Sequence, residues 1–195
     1  MNFNEKEFQT VILAALLHDI GKISQREGGE YFAKHADFSG NFISSLRTYF
    51  GDDFAKDIAN LIEKHHGIPS NRNEYILHIA DKLAAAERIK EEREQFKSNE
   101  AALLAITSRI KFRVDRKEEK YYKLSPLRIE REVLFPVDKP FVEEGAYKRL
   151  WDGFVGKIRL LKKYKPSDFI TIFYILKEFG TFVPSATPWE ESQYN

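Results

Sequence analysis

Ala15-Leu16-Leu17-His18-Asp19-Ile20-Gly21-Lys22 is the stretch on which the reading of this chain turns. An imidazole and a carboxylate on adjacent residues follow an apolar run and precede a glycine. Such a pair closes on a divalent metal when other segments bring further His and Asp. Upstream, Asn4 and Glu7 have the spacing of a capping box, and Phe8, Val11, Ile12, Ala15 and Leu16 fall on one helical face. The spacing predicts a helix that runs into His18 and stops near Gly21.

Working outward, the chain supplies the partners that the doublet needs. A polar loop is expected from Ser24 to Lys34, with His35 in it, before a second helix carrying Phe38, Phe42, Ile43, Leu46 and Phe50. A third helix carries Phe54, Ile58, Leu61 and Ile62. His65 and His66 lie four residues beyond Leu61 and Ile62, so both are expected to extend the buried stripe. Gly67 and Pro69 break the chain. A fourth helix, from about Glu74, carries Ile76, Leu77, Ala80, Leu83 and Ala84 and sets Asp81 one turn past Leu77.

Each candidate has a plainer alternative. Adjacent side chains on a helix diverge, so two inert histidines at 65 and 66 would be a coincidence. Asp81 sits among apolar neighbours, where an unpaired charge is costly; it is a metal ligand or the ion-pair partner of Lys82 or Arg88. Lys22 either holds a phosphate oxygen or is an exposed lysine in a helix C-terminal turn. His35 is a ligand or a loop residue near the site, and His78 reads as a surface or packing histidine. Histidine and carboxylate donors without thiolate suit Mn, Fe, Co, Ni or Zn, and a site at helix ends leaves room for water and a phosphate.

The second half of the chain has a different character. Glu87 to Glu100 is densely charged and reads as a solvated helical extension. Leu103, Leu104, Ile106 and Ile110 suggest a helix, whereas Tyr121–Leu124 and Val133–Pro136 look like short strands or extended segments. Helical patterns return around Tyr147 to Leu161 and Ser167 to Phe179. The expected organisation is mainly α: a helical domain at 1–100, then a smaller mixed α/β segment at 101–195 that reads as a cut through a longer protein.

Composition removes several alternatives. The 195 residues contain no cysteine, which excludes disulfides, zinc–thiolate sites and thiol nucleophiles and fits a reducing cytoplasm. No apolar run reaches membrane-spanning length, and Met1 to Glu5 lacks the basic-then-apolar pattern of a signal peptide. A net charge of +1 gives no global attraction to polyanions, so any nucleic-acid contact must come from a local basic patch. Glycine-rich phosphate loops, Gly-x-Ser-x-Gly elbows and His-Glu-x-x-His motifs are absent from the sequence.

The doublet and its flanks resemble the HD superfamily of metal-dependent phosphohydrolases. Further segments narrow the resemblance: Lys34-His35-Ala36-Asp37-Phe38-Ser39, Lys64-His65-His66, Ile79–Arg88, Tyr121–Leu127 and Val183–Thr187. Together they look like the N-terminal part of the large signature subunit of type III CRISPR effector complexes, Csm type, over nearly the whole chain. That resemblance implies an HD helical bundle that cleaves single-stranded DNA with Mn, Ni or a similar metal. It implies guide RNA and target RNA as indirect partners, through other subunits of the complex. It assigns metal or catalytic roles to His18 and Asp19 and, by position, to His35, His65, His66 and Asp81. The Gly-Gly-Asp-Asp motif of the family's cyclase palm is absent, so residues beyond about 100 would be linker and the opening of a palm domain. Many HD enzymes also have a metal-binding histidine before the doublet, and nothing before His18 supplies one. One firm metal site is expected around Asp19, His35, His65 and His66; a second around His18, Asp19 and Asp81 would lack a ligand. The rival readings are an HD phosphohydrolase acting on nucleotides or cyclic nucleotides and a non-catalytic scaffold that docks effector-complex subunits.

Overall fold

The computed structural model describes residues 4–28, 34–86, 102–105, 108 and 119–184. Helix α1 spans Glu5–Leu17 and opens on the expected capping box: the Asn4 side chain accepts from the Glu7 N–H at 2.8 Å and the Glu7 carboxylate accepts from the Asn4 N–H. Leu13, Ala14 and Leu17 bury its inner face. Beyond Leu17 the chain makes a turn at 18–20 and re-enters helix at once, as α2, Gly21–Gly28. Gly21 therefore begins a helix and does not end one, and the segment from Ser24 expected as loop is helical as far as Gly28. Residues 29–33 lie outside the described residues.

The reason is packing. Ile20, Ile23 and Arg26, three residues apart, share the buried face of this turn and helix. Arg26 is fully buried, with Nη1 donating to the Pro184 carbonyl at 2.8 Å and its guanidinium over the Tyr147 ring. A buried stripe with an arginine in it looks polar in one dimension.

Helices α3, His35–Ser45, and α4, Arg47–Phe50, are followed by α5, Asp52–Glu63, and α6, Arg72–Ala86. Gly51, at φ +88°, makes the reversal into α5, a conformation that disfavours a side chain. Leu13, Leu17, Ile43, Ile58, Ile62 and Leu77 from α1, α3, α5 and α6 meet in the core. The outer end of α6 is different: Ala80 and Leu83, expected in its apolar stripe, are exposed.

Strand β1, Leu103–Leu104, pairs antiparallel with β2, Tyr121–Tyr122, in the register Leu103 to Tyr122 and Leu104 to Tyr121. The expected helix at 103 is thus replaced by strand in its first two apolar positions; Ile106 and Ile110 lie outside the described residues. Ala105 donates to the Lys120 carbonyl at 2.7 Å, extending the pairing, and so short an apolar run has no period of its own. The reverse substitution occurs at 133: Arg131–Leu134 is one helical turn, α7, closed by Leu134 N–H to Glu130 O at 3.0 Å. Phe135, ahead of Pro136, is extended, and Val137 bridges back to Tyr121. The charged stretch 87–100 and the residues after Pro184 lie outside the described residues.

Helices α8, Ala146–Arg159, and α9, Asp168–Gly180, form where the periodicity predicts them. Leu150, Phe154 and Ile158 of α8 and Ile172 and Phe179 of α9 belong to the same apolar cluster as Leu17 and Ile43. Phe42 of α3 meets Trp151 and Phe154 with ring centroids 5.1 and 5.5 Å apart. The molecule is mainly α, a helical bundle with one two-stranded ribbon among the described residues.

Candidate metal centre

The site forms where α1 breaks. Leu17 is the last residue of α1, and His18 and Asp19 stand in the turn before α2 rather than on a helix face. Ser39 of α3 ties this turn down: its hydroxyl donates to the His18 carbonyl at 2.7 Å and accepts the Gly21 N–H at 2.8 Å. A Cβ on Gly21 would stand 2.1 Å from the His35 carbonyl oxygen and 2.7 Å from Ser39 N. The glycine of the doublet motif is there to let α2 and α3 touch.

His35 is the first residue of α3 and is buried, not a loop residue. His65 and His66 lie past the end of α5, which closes at Glu63 with Lys64 as its cap. The turn is made by His65 N–H to Ile62 O and Gly67 N–H to Lys64 O, so neither histidine continues the α5 stripe. The consequence is a split: His65 is buried at 1% exposure and His66 is exposed.

Two of these rings have one nitrogen committed and the other bare. His18 Nδ1 is 2.9 Å from the Ala15 carbonyl and His65 Nδ1 is 2.5 Å from the Ile62 carbonyl. A carbonyl only accepts, so each Nδ1 carries a proton; the His65 ring, neutral through burial, then keeps its lone pair on Nε2, whereas His18 Nε2 faces the carboxylates of Asp19 and Asp81. Both Nε2 atoms are buried and have no hydrogen-bond partner. His78 supports this from α6: its Nδ1 donates to the His65 carbonyl at 2.9 Å. Of the two expectations for it, surface or packing histidine, the structure shows a half-buried ring bonded to the backbone of His65.

Around these nitrogens the other candidates converge. Asp19 Oδ1 is 3.2 Å from His35 Nε2, and Asp19 Oδ2 is 3.0 Å from Lys22 Nζ and 3.6 Å from His18 Nε2. Asp81 Oδ1 lies 3.5 Å from His18 Nε2, and His66 Nε2 lies 3.0 Å from His35 Nε2. Lys22, in the first turn of α2, is buried and held against Asp19, not exposed at a helix end. All seven residues expected at the site are therefore brought to one place.

The electrostatics follow from this crowding. Burial pushes the His65 ring down to about 3, helped by the neighbouring imidazoles and opposed by its bond to Ile62, so it is neutral at physiological pH. Burial also opposes ionisation of Asp19, but the bond to His35 and the charges of His18 and Lys22 outweigh it and hold the carboxyl far below its ordinary range. Burial acts against charge on His18 too, and is overcome by Asp81 and Asp19. Asp81 is lowered chiefly by its contact with His18.

Two sets of ligand atoms have the dimensions of a metal site, with all members within 4.8 Å of one another: His35, His65 and His66, and His18, Asp19 and His65. The expected sites are modified in three respects: Asp19 drops out of the first set, Asp81 drops out of the second, and His65 belongs to both. The donor set fits a divalent transition metal: nitrogen and carboxylate oxygen, two buried ring nitrogens, and no thiolate. Sequence reasoning passed over Ser39, although it stands four residues after His35 in the quoted segment. A serine beside a histidine has no periodicity to announce that it bridges two turns.

Residues 2–86 match the model of the HD domain family. The chain is also 26% identical to the CRISPR system single-strand-specific deoxyribonuclease Cas10/Csm1 (subtype III-A) of Methanocaldococcus jannaschii. That similarity covers 97% of this chain and 25% of the relative, so the chain spans about a quarter of the length of the curated protein it matches.

Proposed function

We propose, from the premise that residues 2–86 are an HD domain, that this chain is a metal-dependent nuclease that hydrolyses phosphodiester bonds of single-stranded DNA. One observation carries the reading: two buried, unpartnered imidazole nitrogens, on His18 and His65, facing a ring of Asp19, His35, His66 and Asp81. A bare buried nitrogen costs on the order of 1–3 kcal/mol unless something fills it. The His65 nitrogen is poorly explained by packing and well explained by a ligand, His18 Nε2 stands between two carboxylates as a second donor would, and the charged cluster has no use in a scaffold.

Asp19, His35, His65 and His66 would hold the firmer ion, and His18, Asp19 and Asp81 a weaker one. The metal, when bound, lowers the pKa of water and neutralises charge on phosphoryl oxygens. The chain's own residues orient and balance charge. Ala15 and Ile62 fix the rings of His18 and His65 through their carbonyls, and His78 fixes the turn that carries His65. Lys22 keeps an ammonium group at Asp19 Oδ2, where it offsets charge on a phosphate oxygen that approaches the same carboxylate. The single-strand preference and membership of a type III CRISPR ribonucleoprotein, with guide and target RNA reached through other subunits, draw on the description of the relative.

Purified protein is expected to cut a single-stranded oligonucleotide with Mn or Ni and not in chelator, and to cut the duplex poorly. His18→Ala with Asp19→Ala should remove the activity with helical circular dichroism retained. Cleavage by that double variant at the wild-type rate would sink the assignment. Absence of cleavage by wild type with any of Mn, Ni, Co, Fe or Zn would favour the scaffold.

A further inference from the structure

The end of α8 and the loop joining it to α9 carry the densest run of positive charge among the described residues. Arg159, Lys162, Lys163 and Lys165 fall within seven positions, all exposed, in a chain whose net charge is only +1. Lys157, just before them, is paired with Glu178. The other four make no ion pair among the described residues. Asp168, at the start of α9, accepts the Tyr49 hydroxyl and the Lys165 backbone N–H.

This loop is also held in place. Tyr164 points inward between the lysines, its N–H donating to the Tyr49 carbonyl at 3.0 Å and its hydroxyl to Gln9 Oε1. Its ring lies against Tyr49, Phe50 and Phe54, at centroid distances of 5.9, 5.3 and 5.4 Å. With Tyr164 turned in, Lys163 and Lys165 are fixed facing out. Like charges pinned side by side repel, at a cost that a polyanion removes. Helix α9 continues from the loop and exposes Phe173 (41%) and Tyr174 (63%), one to two turns on. Lys177 of α9 stands over the Phe173 ring at 5.9 Å, and a basic loop leading into a helix with exposed aromatic rings is a combination that a single-stranded nucleic acid uses, phosphates on the cations and bases on the rings. An acidic peptide would have no use for the rings.

We propose that Arg159, Lys162, Lys163 and Lys165, with Phe173 and Tyr174, form a non-catalytic contact surface for single-stranded nucleic acid, apart from the metal centre. Tyr164 reaches α1 at Gln9, and the site lies at His18. Eight helical residues, 10–17, lie between the two along α1, a rise of roughly 14 Å. A strand a few nucleotides long spans that distance, so the surface would retain the polymer while one of its linkages reaches the cluster. This deepens the nuclease reading and rests on its polynucleotide substrate.

The test separates the two. Binding of a fluorescent dT20 is followed by anisotropy in chelator, across a range of salt, for wild type and for Lys162→Ala/Lys163→Ala/Lys165→Ala. Three lost phosphate contacts should lower the slope of log affinity against log salt by about 2. Tyr174→Ala should weaken binding about fivefold or more with the slope unchanged. Hydrolysis of bis(4-nitrophenyl) phosphate with Mn, which needs no strand contact, should be the same in the triple variant as in wild type, while KM for a long oligonucleotide rises. Unchanged slope and affinity in the triple variant overturn the inference whatever the hydrolysis assay shows. Equal loss of binding to polyglutamate, with no effect of Tyr174→Ala on dT20, overturns it in favour of an acidic protein partner. Lysine-dependent binding without hydrolysis in any metal overturns the nuclease reading alone.

Discussion

His65 is the residue on which the site's character depends. Its Nε2 belongs to both sets of ligand atoms, whereas His66 belongs to one and Asp81 stands beside His18. Replacing each by alanine and titrating metal into the apoprotein calorimetrically should therefore give an order. His65→Ala loses the most affinity, beyond the roughly 10- to 100-fold typical of a supporting residue. His66→Ala follows, and Asp81→Ala changes metal affinity least while still reducing the rate. His78→Ala, which touches no ligand atom and removes only the bond to the His65 carbonyl, should cost about tenfold. Equal affinity of wild type and His65→Ala would place the metal away from the α5–α6 turn.

Among elements, the turn that bears His65 and His66 is held by the first turn of α6. Glu74 accepts the N–H and the hydroxyl of Ser70 through Oε2, both at 2.7 Å, and the Lys64 ammonium at 3.2 Å through Oε1. These bonds, Ser70's first, bring its carboxyl down to about 2 from an ordinary 4.5. A depressed pKa means that the ionised form stabilises the fold; the contribution is complete above about pH 4.5 and is lost as pH falls towards 2. The gap in unfolding temperature between wild type and Glu74→Gln should be full at pH 7 and should close between pH 4.5 and 2. A gap that stays constant over that range would show that the carboxylate does not clip the turn. Periodicity disclosed α1, α8 and α9, because their buried faces are apolar at helical spacing and α1 announces its start with a capping box. It misplaced the histidine turn, because four residues beyond Ile62 continues a stripe only while the helix lasts, and Lys64 ends it. It missed α2 because Arg26 occupies a buried position made tolerable by partners distant in sequence, the Pro184 carbonyl and the Tyr147 ring among them. The site residues were legible by type, since His and Asp next to apolar runs have few structural uses; their supports, Ser39 and His78, were not, because a bond to a backbone carbonyl leaves no pattern.

At the scale of the whole molecule, Arg26 joins the two halves. It is fully buried, and its guanidinium ties α2, which starts at the His and Asp cluster, to Pro184 beyond α9 and to Tyr147 of α8. Arg26→Met keeps most of the volume and leaves the Pro184 carbonyl without that donor, at a cost of about 2–3 kcal/mol for a charge-assisted bond. Unfolding temperature should drop by roughly 4–12 °C, and amide exchange should quicken at 180–184; an unchanged melting point would mean that Arg26 is a passenger in the core. The Arg26–Pro184 bond closes over 158 residues and the Tyr164–Gln9 bond over 155. Such distant closures are slow to form, because so much chain must be brought together first. They also set an order during synthesis. Until position 164 has been made, Gln9 of α1 has no Tyr164 to bond, and until position 184 has been made, α2 presents a guanidinium on the face that will become core. The histidine cluster is encoded within the first 81 residues, yet the bed on which it rests is finished only when the chain is more than twice that long.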